Sequence, residues 1–507
     1  MTLPRPAEAA LGGWALLIWG APWSHAAMSV GTAWVTACAL GLALKTPVSW
    51  SWERVRKAPW FWLVLVLGWQ TASLIWTEDM VWGARLWAIQ LPMLLLAGAW
   101  LWVPLSFEKA SAWVFRSAGL ALLGCLVWGT FKWFQGVELV GRDWSPWMSH
   151  IRLSTLASLG LVWGARTQPR WLVAVFVCCW AAFSAATGSL TSAVLLPMSV
   201  LWVVWEAWPQ HRVFLRWGVV GSVLGGVAAA AIWLQPVPLP SPSGELPEYT
   251  ALGNRYTHAP KRELSEGGHR VYVLVCEQEW PEAWSDVSEV PLDFPNAQGF
   301  TNRDRLLRYL TSKGWPKDGE HIRRLLPAEV KAIENGATNA TKARGLALRM
   351  RQLRREWEMW RDGGSPSGNA VLQRFAHWRA GIQAWKRAPL LGHGMGDTGL
   401  AMEESYREMG SSLAPQHRHR AHMQHLTWAV AGGLVAVLLW LGLGWSWWSA
   451  FRSTSRACLW GGAVVVLTCL FEDAWETQAG VVVSFLALLG ASGDLASQNV
   501  EDRGLHG

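Results

Sequence analysis

Arg374 and His377 stand three residues apart in "RFAHWRA", and His417, His419, His422 and His425 follow within "HRHRAHMQH". Imidazole and guanidinium together can do two kinds of chemistry. A neutral ring can take a proton from a hydroxyl, and an arginine fork can hold a phosphate or diphosphate. The HxH and HxxH spacings also match zinc ligation. However, Arg418 and Arg420 interleave the histidines and would repel a dication, and there is no HExxH, so the pattern predicts no metal. Arg379 follows on the same predicted helix, which then runs into the glycine-rich turn "PLLGHGMGD". A solvated basic helix followed by a loop would give the same pattern.

Further polar groups break into apolar sequence elsewhere. "SHIRLST" carries His150 and Arg152, "FEDAWETQAG" carries Glu472, Asp473, Glu476 and Gln478, and Arg85 stands alone in a third place. Ionisable groups inside or at the mouth of a membrane bundle usually face a cavity or each other. The plainer alternative is a set of interfacial anchors and Arg–Glu salt bridges.

Those residues must be positioned by a membrane bundle. The chain has 507 residues, of which 51% are hydrophobic and only 16% charged, against about 25% charged in soluble domains. Twelve spans are expected, at 10–24, 27–44, 59–76, 84–104, 112–132, 151–166, 171–186, 190–207, 217–235, 426–448, 457–471 and 479–491. The first apolar run is closely followed by a second and lacks a convincing cleavage site, so no signal peptide is expected. The pair 171–207 needs a tight turn at Gly188. The fold class is therefore all-α and polytopic. It divides into an N-terminal bundle of about nine spans (1–235), a large, mostly helical loop domain (236–425), and about three C-terminal helices with a tail (426–507). A Pro-rich linker, "QPVPLPSPSGELP", opens the loop domain. One helix is expected from Ala328 to Gly363–Gly364, and a second from Asn369 to near Pro389.

Basic residues set the orientation. Arg5, Lys45, Arg54, Arg56, Lys57, Lys109, Arg166, Arg170, Arg212, Arg216, Arg452 and Arg456 fall in one set of loops, and "TEDM", 133–150 and "EDAWETQ" in the other. The positive-inside rule puts both termini in the cytoplasm and the large loop outside, in the periplasm of a Gram-negative cell. The net charge of +8 is largely accounted for by this topology, and no nucleic-acid motif is present. Seven cysteines are scattered without a CxxC or a disulfide framework. Tryptophan is abundant, with 41 residues against 5 tyrosines, and it is spread through every segment. That spread suits a lineage bias better than a dedicated sugar-stacking site.

On this topology the His, Arg and acidic groups all lie at one mouth. Group transfer outside the cytoplasm must use a pre-energised donor. A lipid-diphosphate-linked glycan is such a donor, needing cations for the leaving diphosphate and a base for the acceptor hydroxyl.

"RFAHWRAGIQAWKRAPLLGHGMGD" followed by "AHMQHLTWAVAGGLVAV" resembles the O-antigen ligase / O-antigen polymerase superfamily, whose members often show AHNxYLxxLxxxGxxG here. His422, Leu426 and Gly433 match that pattern, while Met423, His425, Ala429 and Ala436 depart from it. "SHIRLS", "RYLTSKG", "SPSGN" and "FEDAWETQAG" look like the version in Bacteroidetes-type members. The resemblance implies a GT-C-like membrane glycosyltransferase with no metal and no cofactor, inversion at the sugar, and an active site facing the periplasm at the inner membrane. Its implied partners are an undecaprenyl-diphosphate-linked glycan donor, a lipid A–core or other glycan acceptor, and membrane lipids. It implies His422 as general base or its orienter, and Arg374, Arg379 and Arg152 as contacts to diphosphate or glycan, with His377 beside them. Many members carry an arginine near the position of Leu190; Arg85 is the expected substitute. His150, His425, Glu472, Glu476 and Gln478 are secondary candidates. A polymerase or a protein O-oligosaccharyltransferase shares the donor chemistry and differs in acceptor. A transporter is a different class, for which paired broken helices in two related halves are expected and not seen in the sequence. A structural scaffold would leave the one-sided Arg/His cluster unexplained.

Overall fold

The computed structural model describes residues 5–45, 59–207 apart from 136, 138 and 140, 246–259, 264–294, 301–341, 345–361, 366–367, 370–451 and 456–489. Several expectations lie outside them: the span at 217–235, most of the Pro-rich linker, Arg54, Arg56, Lys57, Arg212, Arg216, Arg452, the C-terminal tail, and Ser365, Gly368 and Asn369 of "SPSGN".

The apolar runs fold as helices: α1 (Arg5–Gly20), α2 (His25–Ala43), α3 (Pro59–Ala72), α4 (Met80–Trp100), α5 (Phe107–Phe134), α6 (His150–Gly164), α7 (Arg170–Thr187) and α8 (Leu190–Ala207). After the loop domain come α16 (Gln424–Phe451), α17 (Arg456–Cys469) and α18 (Gln478–Leu489). Among the described residues, seven helices are long and apolar enough to cross a membrane, with α17 and α18 as shorter apolar helices. The protein is thus helical and membrane-embedded. Gly188 ends α7 in the left-handed conformation (φ 63°), so α7 and α8 turn sharply on it.

One short helix sits at the centre. From Leu153 to Gly164 every residue of α6 is buried, so this helix has no lipid face. Its hydroxyls hold the bundle together. Ser154 bonds Ser192, Ser158 bonds Ser199 at 2.8 Å, and Thr155 bonds Thr468 at 2.9 Å. Short side chains let helices approach closely, and paired hydroxyls act as polar glue where water is absent.

The helix expected at 426–448 is broken. Gly433, at φ 64° and ψ −157°, interrupts α16. The His425 ring meets the Trp440 ring at 5.3 Å, although a straight helix would separate these positions by about 22 Å at 1.5 Å per residue. The turn at 389–394 fills the break. His393 N–H donates to Val430 O (2.9 Å), Gly394 N–H to Ala431 O (2.8 Å), and Leu434 N–H to Pro389 O (2.8 Å). Broken helices survive in a bundle only where protein takes up the freed backbone groups.

The same turn is anchored at its far end. The buried Asp397 accepts from the backbone N–H of Glu78 (2.8 Å) and of Asp79 (2.7 Å). Asp397→Ala removes two charge-assisted bonds worth about 1.5–3 kcal/mol each. We expect a fall in the thermal midpoint in detergent, with Asp397→Asn intermediate because it keeps a neutral acceptor.

The chain forms two compact units, and their division differs from the expected boundary at 425. Among the described residues, Arg374–Ser411 and 418–489 belong with the helical bundle, while 246–373 and Ser412–His417 form the second unit. The reason is the backbone pairing just described, which ties the 389–397 turn to α16 and to the 77–80 turn.

The second unit contains a two-residue hairpin, β1 (Ser265–Glu266) with β2 (His269–Arg270), and short helices α9 (Trp280–Ser285), α10 (Asn302–Ser312), α11 (Gly319–Arg323), α12 (Pro327–Glu334) and α13 (Gly345–Arg361). Its core gathers Trp280, Trp284, Leu306, Leu310, Ile322 and Ile333. The single helix expected over 328–364 is two helices. Gly336 (φ 103°) follows the end of α12 at Asn335, and α13 starts anew at Gly345. Arg308 and Arg355 both pair with Glu266 in the interior.

Candidate functional site

Two further helices build the site: α14 (Ala370–Arg387), which stops before Pro389, and α15 (Thr398–Glu408). His377 lies on the inward face of α14 and is 1% exposed. The non-helical stretch 418–423 brings two more imidazoles to it. The ring centres are 5.4 Å apart for His377 and His422, 5.9 Å for His377 and His419, and 6.0 Å for His419 and His422. Tyr406 of α15 donates its hydroxyl to His419 O at 2.8 Å and stands 6.2 Å from the His377 ring.

His422 has φ 48°, a left-handed backbone rare for a residue with a side chain. The buried Asp473 holds it there: its carboxylate accepts from the His422 backbone and from the Thr427 hydroxyl (2.7 Å), and stands 4.0 Å from His422 Nδ1. Gln424 Oε1 accepts from Trp475 N–H (2.8 Å), tying the start of α16 to the same turn. Strain of this kind persists where the surroundings over-determine the backbone.

Cations surround the rings. Arg374 donates to Phe471 O, Arg152 pairs with Glu472 at 3.0 Å, and Arg420 pairs with the buried Glu476. Arg420 and Arg85 both lie over the Trp82 ring, at 4.8 and 5.2 Å. Burial, then Arg374, His419 and Arg420, pushes the His422 imidazole down to about 4. The ring is therefore neutral near pH 7, and with 40% of its side chain exposed it still reaches water. Burial raises Asp473, opposed by the Thr427 hydrogen bond and Arg420. Burial likewise raises Glu472, opposed by Arg152 and Arg374.

No protein-family model matches the chain, and no curated protein matches it. The family resemblance therefore rests on the quoted motifs, and function has to be argued from geometry.

Several expected residues gather here: His422, His377, Arg374, Arg152, Arg85, Glu472 and Glu476. His150 opens α6, two positions before Arg152. Others do not gather. Arg379 is exposed on another face of α14, because two residues along a helix turn a side chain by about 200°. His425 turns to Trp440, the two rings tilted by 48°, with Nε2 3.3 Å from Val466 O. Gln478 bonds Ser29 (2.7 Å) and His25 (3.3 Å) of α2. The sequence assigns no site role to Arg420, Trp82, Tyr406 or His419, and it marks Asp473 only as one of the polar groups of "FEDAWETQAG". Arg420 and Asp473 could have been weighed from their places beside His422 and Glu472; Trp82 and Tyr406 carried no local signal. Among the described residues, no three His, Cys, Asp or Glu side chains converge as metal ligands.

Arg420→Ala strands Glu476, whose side chain is 4% exposed. Breaking a buried pair from one side costs about 3–5 kcal/mol. Adding Glu476→Gln should recover most of that loss, as read by thermal unfolding of the single and double variants.

Proposed function

We propose that the protein is a membrane glycosyltransferase of the O-antigen ligase kind, moving polysaccharide from undecaprenyl diphosphate to lipid A–core without a metal and with inversion. The carrying observation is His422, neutral and backbone-fixed by Asp473, at the water-reached edge of a trio of imidazoles with Arg374 and Arg420 close by. In this reading His422 takes the proton of the acceptor hydroxyl. The freed oxygen attacks the anomeric carbon of the donor sugar, and the bond from that carbon to the diphosphate breaks. Arg374, Arg420 and Arg85 meet the charge that develops on the leaving diphosphate, and the proton on His422 returns to water. The site would face the periplasm of the inner membrane, with both termini in the cytoplasm.

The break in α16 is a feature that transporters also use. Here backbone from 389–394 occupies it, which favours a fixed scaffold over an ion path.

Envelope glycans of a strain lacking the gene, with and without the wild-type copy, test the reading. Loss of polymer from lipid A–core with accumulation of lipid-linked polymer supports it. Single-unit chains still attached to core would assign a polymerase instead, and unchanged lipopolysaccharide with missing glycoproteins a protein glycosyltransferase.

A further inference from the structure

The hairpin formed by α14, the 389–394 turn and α15 leaves an apolar surface uncovered. Phe375, Ile382, Leu390, Leu391 and Leu400 are all exposed, Phe375 by 53% and Leu390 by 64%. Single exposed apolar residues are ordinary, but a run of them marks a surface that something else covers. Trp378 and Trp385 flank the run, both half-buried, and Phe375 packs edge to face on Trp378 at 5.4 Å.

Backbone pairing fixes the depth of this surface. α16 is one of the helices long and apolar enough to cross a membrane, and the turn bonds it at Val430, Ala431 and Leu434. Val430 lies about 9 Å along α16 from its start at Gln424. Leu390 and Leu391 belong to that turn, so they are exposed at the level of the first turns of a spanning helix. At the other end of α14, Arg374 donates to Phe471 O and the Trp378 ring meets the Phe471 ring at 6.4 Å. Phe471 is itself exposed, just beyond the end of α17. α14 therefore runs from the end of the bundle down to the level of the break in α16.

The free charges on this face have one sign. Arg379 and Lys386 are exposed and have no ion pair among the described residues. Seven positions apart, they lie on one stripe, about 10 Å along the helix. Glu404 and Glu408 of α15 are taken by Arg387, at 3.2 and 2.9 Å. A cleft of about 510 Å³ runs along the stripe, lined by both cations with Phe375, Ile382 and Met409. Cations beside exposed apolar side chains suit a helix lying in a membrane interface. The stems stay in the apolar layer and the charged heads reach the phosphates.

The geometry points to α14 as an interfacial helix that binds anionic phospholipid. Phe375, Ile382, Leu390 and Leu391 enter the acyl layer at the end of the bundle that carries His422. Arg379 and Lys386 seat the phosphodiester of a lipid whose headgroup adds no positive charge. A zwitterionic headgroup brings its own cation to the same place and binds less well. The depth of the turn favours lipid over a protein partner, because a water-soluble segment would have to enter the membrane to cover Leu390. This puts into lipid a stretch that the apolar pattern alone assigns to the loop domain, and it makes no use of glycan-transfer chemistry.

The test uses the full-length protein in liposomes of equal parts phosphatidylglycerol and phosphatidylcholine with the same acyl chains. A photoactivatable benzophenone side chain replaces Phe375 in one variant and Ile382 in another, and the adducts are read by mass. Phospholipid adducts are expected at both positions, phosphatidylglycerol exceeding phosphatidylcholine by about tenfold. Arg379→Gln with Lys386→Gln should bring that ratio near one. Since both side chains are exposed, the double variant should keep the total adduct yield and the thermal midpoint, and Arg379→Lys should keep the preference. Absence of lipid adducts would put the face in water and overturn the proposal. A cross-link to a second copy of the chain, or to another protein when the experiment is repeated in native membranes, would assign the face to a protein interface and overturn it too. Equal adducts of the two lipids, or a preference that survives the double variant, would remove the anionic site from these cations with the same result. Each readout stands whether or not the protein transfers a glycan.

Discussion

Replacing His422 with alanine is expected to lower glycan transfer by about 10²–10⁴-fold, the usual contribution of a positioned general base. The protein should still fold, because Asp473 retains the backbone N–H at 422 and the Thr427 hydroxyl. The measurement is turnover of a lipid-diphosphate-linked glycan by purified protein, with the product resolved by size. Wild-type kcat in the alanine variant would remove His422 from the mechanism. The pH profile gives an independent reading. With the imidazole pushed down to about 4, kcat/KM should be flat through neutrality and fall only as pH drops towards 4, where the base becomes protonated. Arg374 and Arg420 contribute to that depression, and an anionic donor would offset both cations. The acid limb of kcat, which reports the donor complex, should therefore lie at higher pH than that of kcat/KM. Coincident limbs would mean that the donor does not sit on these arginines.

The second large effect concerns Gly433. Gly433→Ala should cost several kcal/mol and sharply reduce the yield of folded protein. Its φ and ψ (64°, −157°) fall in a region essentially reserved for glycine, a strain of about 1–3 kcal/mol for other residues. A Cβ there would also stand 2.2 Å from Leu390 O and 2.3 Å from Leu390 C. Both are backbone atoms of the turn that fills the break, so relief requires moving that turn and, with it, the Asp397 anchor. Gly444→Ala is the control. Its Cβ would meet nothing within 4 Å, and alanine is favoured over glycine in a helix by about 1 kcal/mol. Thermal unfolding should separate the two variants in opposite directions; a Gly433→Ala protein as stable as wild type would contradict the inserted-turn account.

The sequence made one layer of this legible. Each expected span that falls in the described residues is helical, the one at 426–448 broken at Gly433, because apolarity sums along a segment and needs no knowledge of neighbours. The 3.6-residue period put Arg374 and His377 on one face, and charge in apolar surroundings marked "FEDAWETQAG" and "SHIRLST". The same period would have sent Arg379 elsewhere had it been applied there. The His cluster drew attention to His422, but its four members look alike along the chain.

Tertiary structure made the choices among them. It turned His425 to Trp440, joined His377 and His419 to His422, and set Asp473 under a strained backbone. The resemblance marks Gly433 rather than Gly432, but nothing local to "AGGLVAV" shows that the helix breaks there; the break exists because a turn from another part of the chain enters and supplies the missing hydrogen bonds. Local sequence thus determined which segments are helical and which end of the bundle is polar. Which charges pair and which imidazole is held poised depended on contacts between residues far apart in the chain, and such contacts leave no periodic trace in any one segment.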